Sequence, residues 1–409
     1  FHTDLKKTYE WEAAMLNTTV KAPKRTFKTK DLYVGFDTSA DSTKAYMRAG
    51  DLDMNIRGKG YVEELMAQAA VFMNTASEQW TTKTIDQEAL KDLLPDMALD
   101  ITSGKDNPIC NFLSFKGISY NKLSMNVTAS PEMGLNGENY IYGMTTDSLT
   151  LDTLYLDMQH DTLGINYQMG VLSGPKKNQE AFEVALDGYV RNGSAQLLVD
   201  YLNGKKETGV HMGVQAELRR RGIRMRFFPE QPTLVYRPFN LNERNYIYLS
   251  DRGRIFSDVR LYDQEGTGVS FYTNREDSLA QQDMTVELSR INLQEFRRIL
   301  PYIPDMKGWL GGEVHDVDKD NQVMFSGDVR LDEFVYEGSP LGDWEMNGVY
   351  LPGNNDEHHV DGFILHNGIE IAHAGGLYQT DSQGNEDISA DMELNEFPLY
   401  IINPFVPEK

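Results

Sequence analysis

The sequence predicts a mostly-β fold, in which a long antiparallel sheet with a few short helices curls into an elongated, β-taco-like groove. Apolar and polar residues alternate along most of the 409-residue chain, which is the period of a half-buried strand. Turn dipeptides interrupt this alternation at intervals of roughly 8–12 residues, the spacing of an all-β protein. No Pro-, Gly- or Ser-rich linker divides the sequence, which favours one continuous sheet over separate sandwiches.

Three domains are predicted, and they can equally form one continuous elongated domain. Residues 1–95 contain the opening strands and a helical pair, residues 96–288 an antiparallel β array, and residues 289–409 a second array that a helix leads. In the first domain, strands are expected at Leu32–Phe36 and Ala45–Ile56, where apolar and polar residues alternate.

Two helices are predicted before Pro95. The first carries an apolar stripe at helical spacing, formed by Val62, Leu65, Met66, Ala69, Phe72, Met73 and Ala76. The second begins near Thr84, where Gln87 completes a capping box, and Pro95 ends it. A Leu-Pro pair precedes a strand both here and at Pro301, which is the pattern of an internal repeat.

From Met97 to Val286 the pattern is almost entirely that of strands, with β-branched, aromatic and long aliphatic residues at alternate positions. Asparagine-glycine and similar dipeptides separate them and predict hairpin turns. These are Asn136-Gly137, Asn192-Gly193, Asn203-Gly204, Arg252-Gly253 and Glu265-Gly266.

The last domain opens with a short helix. Asn292 can cap it, Glu295 stands at the capping-box position, and Pro301 and Pro304 stop it. A strand pattern follows, in which apolar and polar residues alternate. It predicts that one face of the strand carries Val323, Phe325, Val329 and Leu331.

Charge and cysteine content exclude several classes of partner. The net charge of −23 argues against nucleic acid and against electrostatic docking on anionic lipid headgroups. Cys110 is the only cysteine, so neither an internal disulfide nor a cysteine-based zinc site is expected. This scarcity fits an oxidising envelope compartment, and it fits a cytosolic protein as well. The sequence contains no run of about 18 apolar residues that would span a membrane. No cofactor is expected.

Four histidines, His358, His359, His366 and His373, lie close together in the sequence. A metal site needs ligands that converge on the ion, with hydrogen-bonding groups behind them. Positions in a polar turn and on strand surfaces explain these histidines more simply, so no metal site is predicted.

Asp316, Asp318 and Asp320 resemble the opening of a calcium-binding loop. Asn321, however, occupies the position of the required glycine, and Gly327 stands where the bidentate glutamate belongs. A hairpin tip is the better interpretation.

Five arginines, Arg219, Arg220, Arg221, Arg224 and Arg226, stand out in this acidic chain. They could hold phosphate or carboxylate groups, but arginines on an exposed strand face more simply pair with acidic residues and protect an edge. The sequence contains no Gly-x-Ser-x-Gly, His-Glu-x-x-His, P-loop or Gly-x-Gly-x-x-Gly motif, so no enzyme is predicted.

The apolar strand faces are the main functional signal, with two interpretations left open: a closed hydrophobic core, or an open groove that takes up acyl chains. An open groove binds by burying CH₂ groups, each worth about 0.8 kcal/mol, with little shape specificity. Flexible methionines suit such a surface, and the chain has 18. The candidate groove residues are Leu123, Met125, Val127, Leu154, Leu156, Met158, Ile165, Tyr167, Met169, Val184, Leu186, Met212, Val214, Phe325, Val329 and Leu331.

Two segments resemble a known family. Ser289–Pro352 contains a Leu-Pro pair, a Gly-x-Leu-x-Gly element and the sequence Ser-Gly-Asp-Val-Arg-Leu, and Ile388–Lys409 contains Phe-Pro-Leu followed by Pro-Phe. These motifs resemble those of the TamB/AsmA-like family of bacterial envelope proteins. The resemblance extends over Leu234–Lys409 and is one of pattern only before that.

The resemblance implies a periplasmic segment of a Gram-negative protein that an N-terminal helix outside this sequence anchors in the inner membrane. It implies lipid transport: phospholipid acyl chains would travel along the apolar groove between inner and outer membrane, with an outer-membrane barrel protein as a partner in outer membrane biogenesis. The alternative is a scaffold or assembly factor for outer-membrane proteins that acts through exposed sheet edges or contacts with a barrel partner. A carbohydrate-active or adhesive protein would need an exposed aromatic platform, and four scattered tryptophans supply none.

Overall fold

The computed structural model describes residues 2–3, 8–17, 19–22, 25–28, 30–82, 84, 86–146, 149–176, 179–274, 282–299, 303–319, 322–353, 357–380 and 386–405. The chain divides into two compact units, Phe1–Arg219 and Arg220–Lys409. They are described here as unit 1 and unit 2, and the three-domain division stays a prediction.

Unit 1 is built from antiparallel strands that follow one another in the sheet as they do in the sequence. From β5 to β15 each strand pairs with the next, β2 pairs with β5 on the other side, and β1 pairs with β2. β3 and β4 form a separate hairpin. The strands are β1 (His2–Thr3), β2 (Tyr9–Met15), β3 (Thr19–Ala22), β4 (Arg25–Lys28), β5 (Leu32–Thr38), β6 (Ser42–Ala49), β7 (Leu52–Lys59), β8 (Met97–Ser103), β9 (Lys122–Ser130), β10 (Gly134–Thr145), β11 (Thr150–His160), β12 (Gly164–Ser173), β13 (Phe182–Arg191), β14 (Ser194–Asn203) and β15 (Thr208–Arg219).

Three helices interrupt these strands: α1 (Val62–Thr82), α2 (Gln87–Asp92) and α3 (Pro108–Ser114). The two predicted helices before Pro95 are confirmed, but the predicted cap of α2 is wrong. Asp86, not Thr84, is the N-cap, because its carboxylate accepts a hydrogen bond from the Ala89 N–H at 3.0 Å. Gln87 is therefore the first helical residue rather than the third.

Helix α3 lies in a region where the sequence predicted almost only strands. Asn107 caps it by accepting a hydrogen bond from the Cys110 N–H at 2.9 Å, and Pro108 occupies the first turn, where its missing N–H costs nothing. This Asn-Pro pair is the local signal that an interpretation based on strand alternation misses.

Four of the five predicted hairpin turns separate consecutive strands as expected. The turn at Asn136-Gly137 is wrong, since both residues lie inside β10 and the chain reverses before Gly134, whose φ is 72°. The Asn136 side chain instead donates to the Met133 carbonyl at 3.0 Å and accepts from the His160 N–H at 2.9 Å. An asparagine that serves backbone groups on both sides stabilises the strand end rather than a turn.

Unit 2 is also antiparallel. β16 pairs with β17 at one end and with β19 at the other, β18 and β19 both pair with β20, and from β20 to β28 each strand pairs with the next. The strands are β16 (Gly222–Leu234), β17 (Arg237–Pro238), β18 (Asn240–Leu241), β19 (Tyr246–Ser250), β20 (Ile255–Tyr262), β21 (Gly268–Thr273), β22 (Gln282–Asn292), β23 (Met306–Lys319), β24 (Gln322–Tyr336), β25 (Ser339–Pro352), β26 (Glu357–His366), β27 (Ile369–Thr380) and β28 (Glu386–Leu394).

A short helix, α4 (Leu293–Phe296), joins β22 to the following strands, and a 3₁₀ helix spans Leu399–Phe405. The predicted Asn292 cap is confirmed by its 3.0 Å hydrogen bond from the Gln294 N–H. Pro301 was predicted to end this helix and to belong to the second copy of the internal repeat. It lies outside the described residues.

The buried core of unit 2 is small. One cluster lies where β18 and β20 pair and consists of Phe239, Leu241, Val259 and Leu261, with partly buried neighbours such as Phe271. Leu341, Ile371, Ala372 and Ile401 are buried as well. Most of the apolar side chains of β23 to β28 are not among these buried residues.

The predicted fold class, mostly β with an antiparallel sheet and a few helices, is confirmed. Within the described part of the chain, no pairing joins β28 back to β16, so the sheet of unit 2 stays open. No helix among the described residues is long and apolar enough to span a bilayer.

Candidate functional site

Strand register places the apolar residues of unit 1 on one face of the sheet. Residues that pair directly across an antiparallel ladder point to the same face, and every second residue along a strand does so too. From β9 to β15, three parallel rows of paired residues define this apolar face. They are Leu123–Ile141–Leu154–Val171–Val184–Tyr201–Val210, Met125–Asn139–Leu156–Met169–Leu186–Val199–Met212 and Val127–Gly137–Met158–Tyr167–Gly188–Leu197–Val214.

Twelve of the sixteen sequence-predicted groove residues belong to these rows, and Ile165 lies on the same face two positions from Tyr167. Their side chains are neither buried nor, apart from the exposed Met169, fully open to solvent. A closed core would bury such side chains almost completely. Whether this face binds a ligand stays a prediction.

The opposite face of unit 1 is polar. One row across β8 to β13 reads Asp100–Asn126–Glu138–Asp157–Gln168–Asp187. The partly buried Tyr140 hydroxyl on this face donates a hydrogen bond to Asp157 at 3.0 Å. The sheet is therefore amphipathic, with carboxylates on one side and aliphatic side chains on the other.

Helices α1 and α2 attach at one end of the apolar face. Leu65 is the one buried residue of α1, and a Cβ placed at Gly58 would come within 2.4 Å of its side chain, so the helix rests on bare strand backbone there. The Gln87 side chain of α2 lies 2.6 Å from Nε2 of His160, a residue that pairs with Ile165. Burial, with a smaller contribution from Lys91, lowers the pKa of His160, so the neutral ring can accept this bond.

Two residues of the α1 stripe, Met66 and Met73, stay exposed, and Trp80 continues their spacing. Met66, Met73 and Trp80 follow one another at seven-residue intervals, and all three are exposed. The helix therefore leaves part of its apolar side exposed rather than burying it.

Unit 2 has an apolar face of the same kind across β23 to β28. It includes the remaining predicted groove residues Phe325, Val329 and Leu331, which lie at alternate positions of β24. Several of its side chains are exposed: Val314, Phe325, Met346, Val360, Met392 and Leu394. The face opposite carries acidic and polar residues, for example the row Glu313–Asp328–Asn347.

A line of glycines crosses the middle of this face, and sequence reasoning did not find it. Gly327, Gly348 and Gly362 pair with one another across β24, β25 and β26. The flanking rows, Val329–Met346–Ile364 and Phe325–Tyr350–Val360, are four residues apart along the strands, about 13 Å. The glycines therefore leave a shallow furrow between two apolar walls. Only the strand register reveals it, because the three glycines are far apart in the sequence.

Two carboxylates interrupt the apolar face of unit 2. Asp316 pairs with Phe325 and Asp318 with Val323, so both share this face, and one oxygen of each is buried without a hydrogen-bond partner in the described residues. Burial first, and Asp318 second, raise the pKa of the Asp316 carboxyl. Asp320 and Asn321, which complete the proposed calcium-loop pattern, lie outside the described residues.

The four clustered histidines separate onto different parts of the sheet. His366 is buried and lies 2.8 Å from the Leu341 carbonyl, so its Nε2–H donates, while His358 stacks on Tyr350. His373 pairs with Asp361 at 3.0 Å, and this hydrogen bond raises its pKa. Among the described residues, no group of three or more His, Cys, Asp or Glu could hold a metal ion.

Three of the five arginines in the basic cluster have local partners. The Arg224 guanidinium lies 4.7 Å from the Tyr246 ring centre, and Arg226 donates to the Glu243 carbonyl at 2.7 Å. In unit 1, Arg219 pairs with Glu217. These contacts agree with the structural interpretation.

A hollow of about 430 Å³ lies on the polar face of unit 2, behind the glycine line. Its lining includes Glu313, His315, Asp328, Asp361 and Phe363. Its chemistry is acidic, unlike that of the predicted groove, and its walls belong to the other side of the sheet.

Comparison with family models, curated proteins and solved structures finds no match for this chain. The resemblance to the TamB/AsmA-like family therefore rests on its sequence motifs alone.

Proposed function

We propose that the apolar faces of units 1 and 2 carry phospholipid acyl chains, and that the chain is a non-enzymatic periplasmic segment of a TamB/AsmA-like protein. In this role it conducts lipid between the inner and outer membranes of a Gram-negative envelope. The sequence motifs support the family assignment, and the apolar faces of the sheet support lipid as the ligand.

One observation carries the proposal: each unit has a largely apolar face whose side chains stay partly exposed. A water-exposed apolar face of this extent is unfavourable, at about 25 cal/mol for each Å². Acyl chains would remove that cost without specific contacts, since each buried CH₂ contributes about 0.8 kcal/mol. The acidic opposite face keeps the loaded protein soluble.

Native mass spectrometry with lipid extraction tests the proposal on the protein purified from a Gram-negative host. We expect co-purifying phospholipid that organic solvent removes. A lipid-free protein that also takes up no phospholipid from vesicles in vitro would contradict it.

Neighbouring residues on β12 provide a matched pair of variants. Met169 lies on the apolar face and Gln168 on the polar face, and both are exposed, so Met169→Asp and Gln168→Asp should fold alike. We expect M169D to lower lipid occupancy several-fold, since a charged group has to be desolvated beneath the acyl chain, whereas Q168D keeps parental occupancy.

The same loss is expected for Asp or Arg at Leu154, Leu156 or Ile165. These side chains are less exposed, so each variant needs a circular dichroism control for folding. Folded variants that bind lipid at the parental level would show that the face assignment is wrong.

The scaffold function stays the alternative hypothesis, and what co-purifies distinguishes the two. Lipid supports conduction, and a stoichiometric partner chain without lipid supports the scaffold.

A further inference from the structure

Strand β28 is an edge strand whose outer side has no partner among the described residues. It pairs with β27 alone, in an unbroken register from Ala372 and Leu394 to Thr380 and Glu386. The outer backbone groups of such a strand can accept a further strand.

Two residues that follow β28 make contacts on its inner side. The Asn395 N–H donates to the Ile371 carbonyl at 3.0 Å, and the Tyr400 ring lies 6.2 Å from the ring of His366. Both contacts take the chain back towards β26 and β27, on the inner side of β28.

Proteins usually protect such edges with charged side chains, most often lysine, or with proline, a bulge or a covering segment. β28 has the sequence Glu-Asp-Ile-Ser-Ala-Asp-Met-Glu-Leu, with neither lysine nor proline, and its register contains no bulge. Its described side chains, from Asp387 to Leu394, are all exposed. β28 is therefore protected by its carboxylates alone, which repel an acidic strand but not a basic one.

The two faces of β28 differ in chemistry. Ile388, Met392 and Leu394 are 72%, 66% and 56% exposed and lie on the apolar face of unit 2. Asp391 and Glu393 point to the other face, and neither takes part in an ion pair within the described part of the chain. A strand that fits this edge needs apolar residues at alternate positions and cations between them.

We propose that β28 is a docking edge for an extended segment of a partner protein in which basic and apolar residues alternate. Main-chain hydrogen bonds would add the segment as a further strand, and its Lys or Arg side chains would face Asp391 and Glu393. A second copy of β28 fits poorly, because it would set carboxylates opposite carboxylates. This edge is distinct from the lipid-carrying face, so the two can be tested separately.

Two labelled nine-residue peptides test the proposal by fluorescence anisotropy, one of alternating Lys and Val and one of alternating Glu and Val. We expect the wild-type chain to bind the Lys-Val peptide about tenfold more tightly than the Glu-Val peptide. Two cross-strand charge pairs are attractive with the first peptide and repulsive with the second, and this difference can supply a change in affinity of that size. The double variant D391K/E393K should reverse this order.

The control is E230K/E313K, which makes the same charge change at two exposed positions of unit 2 that lie away from β28. It should keep the wild-type order of the two peptides. Absence of binding, a wild-type order in D391K/E393K, or a reversed order in the control would each overturn the proposal. Hydrogen exchange on the wild-type chain gives a second readout, since the Lys-Val peptide should increase amide protection in β28.

Discussion

Asp316 is the least expected residue of the apolar face. Its neighbours across the ladders are Met284 and Phe325, and one of its carboxylate oxygens is buried without a hydrogen-bond partner in the described residues. Removing a charge from water in this way costs free energy, and the same cost raises its pKa. Asp316 therefore lowers the stability of the folded protein when it is ionised, and this effect depends on pH.

We expect Asp316→Asn to stabilise the protein at pH 7. Because the folded-state pKa lies above the unfolded one, the folded state binds the proton more tightly, so the ionised carboxylate opposes folding once the pH exceeds the ordinary range of about 4. The gain should be at most about 1 kcal/mol, since water screens a partly exposed group. It should disappear as the pH falls through the carboxyl range, which urea unfolding at several pH values will measure.

Asp391→Asn on the polar face is the control, and it should leave the urea midpoint of the neutral-pH transition unchanged. A stability gain of D316N that stays constant from pH 7 to pH 3 would contradict the desolvation argument.

At the scale of elements, α3 depends on a single buried side chain. Asn107 is fully buried, its Oδ1 accepts from the Cys110 N–H, and its Nδ2 donates to Asp51 at 2.7 Å and to Ser103 at 2.9 Å. Burial alone would raise the pKa of Asp51, but hydrogen bonds from the Asn107 side chain and from backbone N–H groups outweigh it and lower the pKa. One amide therefore joins the helix cap to the β6–β7 turn.

Asn107→Ala should destabilise unit 1 by about 2–4 kcal/mol, because it removes a cap and leaves buried polar groups unpaired. Chemical denaturation measures the loss, and hydrogen exchange should show faster exchange first in α3. Asn126→Ala, which removes an exposed hydrogen bond to Asp100, should cost no more than about 0.5 kcal/mol. Equal losses in the two variants would contradict the role assigned to Asn107.

The glycine line offers a test of the apolar face in unit 2. A Cβ at Gly327 would meet its nearest atom at 3.5 Å, an ordinary contact, so Gly327→Val should fold. It would fill the furrow between the two apolar walls, and we expect lipid occupancy of the protein to fall about two-fold, since one of two faces is affected. Ser326→Val, on the polar face of the same strand, is the matched control in lipid extraction. Parental occupancy in G327V would show that lipid does not use the furrow.

Alternation in the sequence predicts the two faces of the sheet well, because side chains change sides at every residue and the hairpins keep their register. All the candidate residues from Leu123 to Val214 therefore lie on one face. Features that depend on pairing between distant strands escape this reasoning. The glycine line needs the registers of β24 to β26, and the misplaced turn at Asn136 needs its hydrogen bond from the His160 N–H.

At the scale of the whole molecule, apolar surface and net charge have separate roles in the proposed function. Acyl chains bind to the apolar faces by burial, which carries no charge dependence. The net charge of −23 acts at longer range and repels anionic membranes before contact. Salt should therefore alter how often the protein meets a membrane and leave the binding of lipid unchanged.

This division predicts how fluorescent phospholipid uptake from vesicles depends on salt. From vesicles with anionic lipid, the uptake rate should rise several-fold between about 20 mM and 300 mM NaCl, as the Debye length falls from about 20 Å to about 6 Å. From purely zwitterionic vesicles it should change little, which is the control for effects of salt on the protein itself. An uptake rate that falls with added salt would mean that basic residues, rather than apolar faces, make the first contact with the membrane.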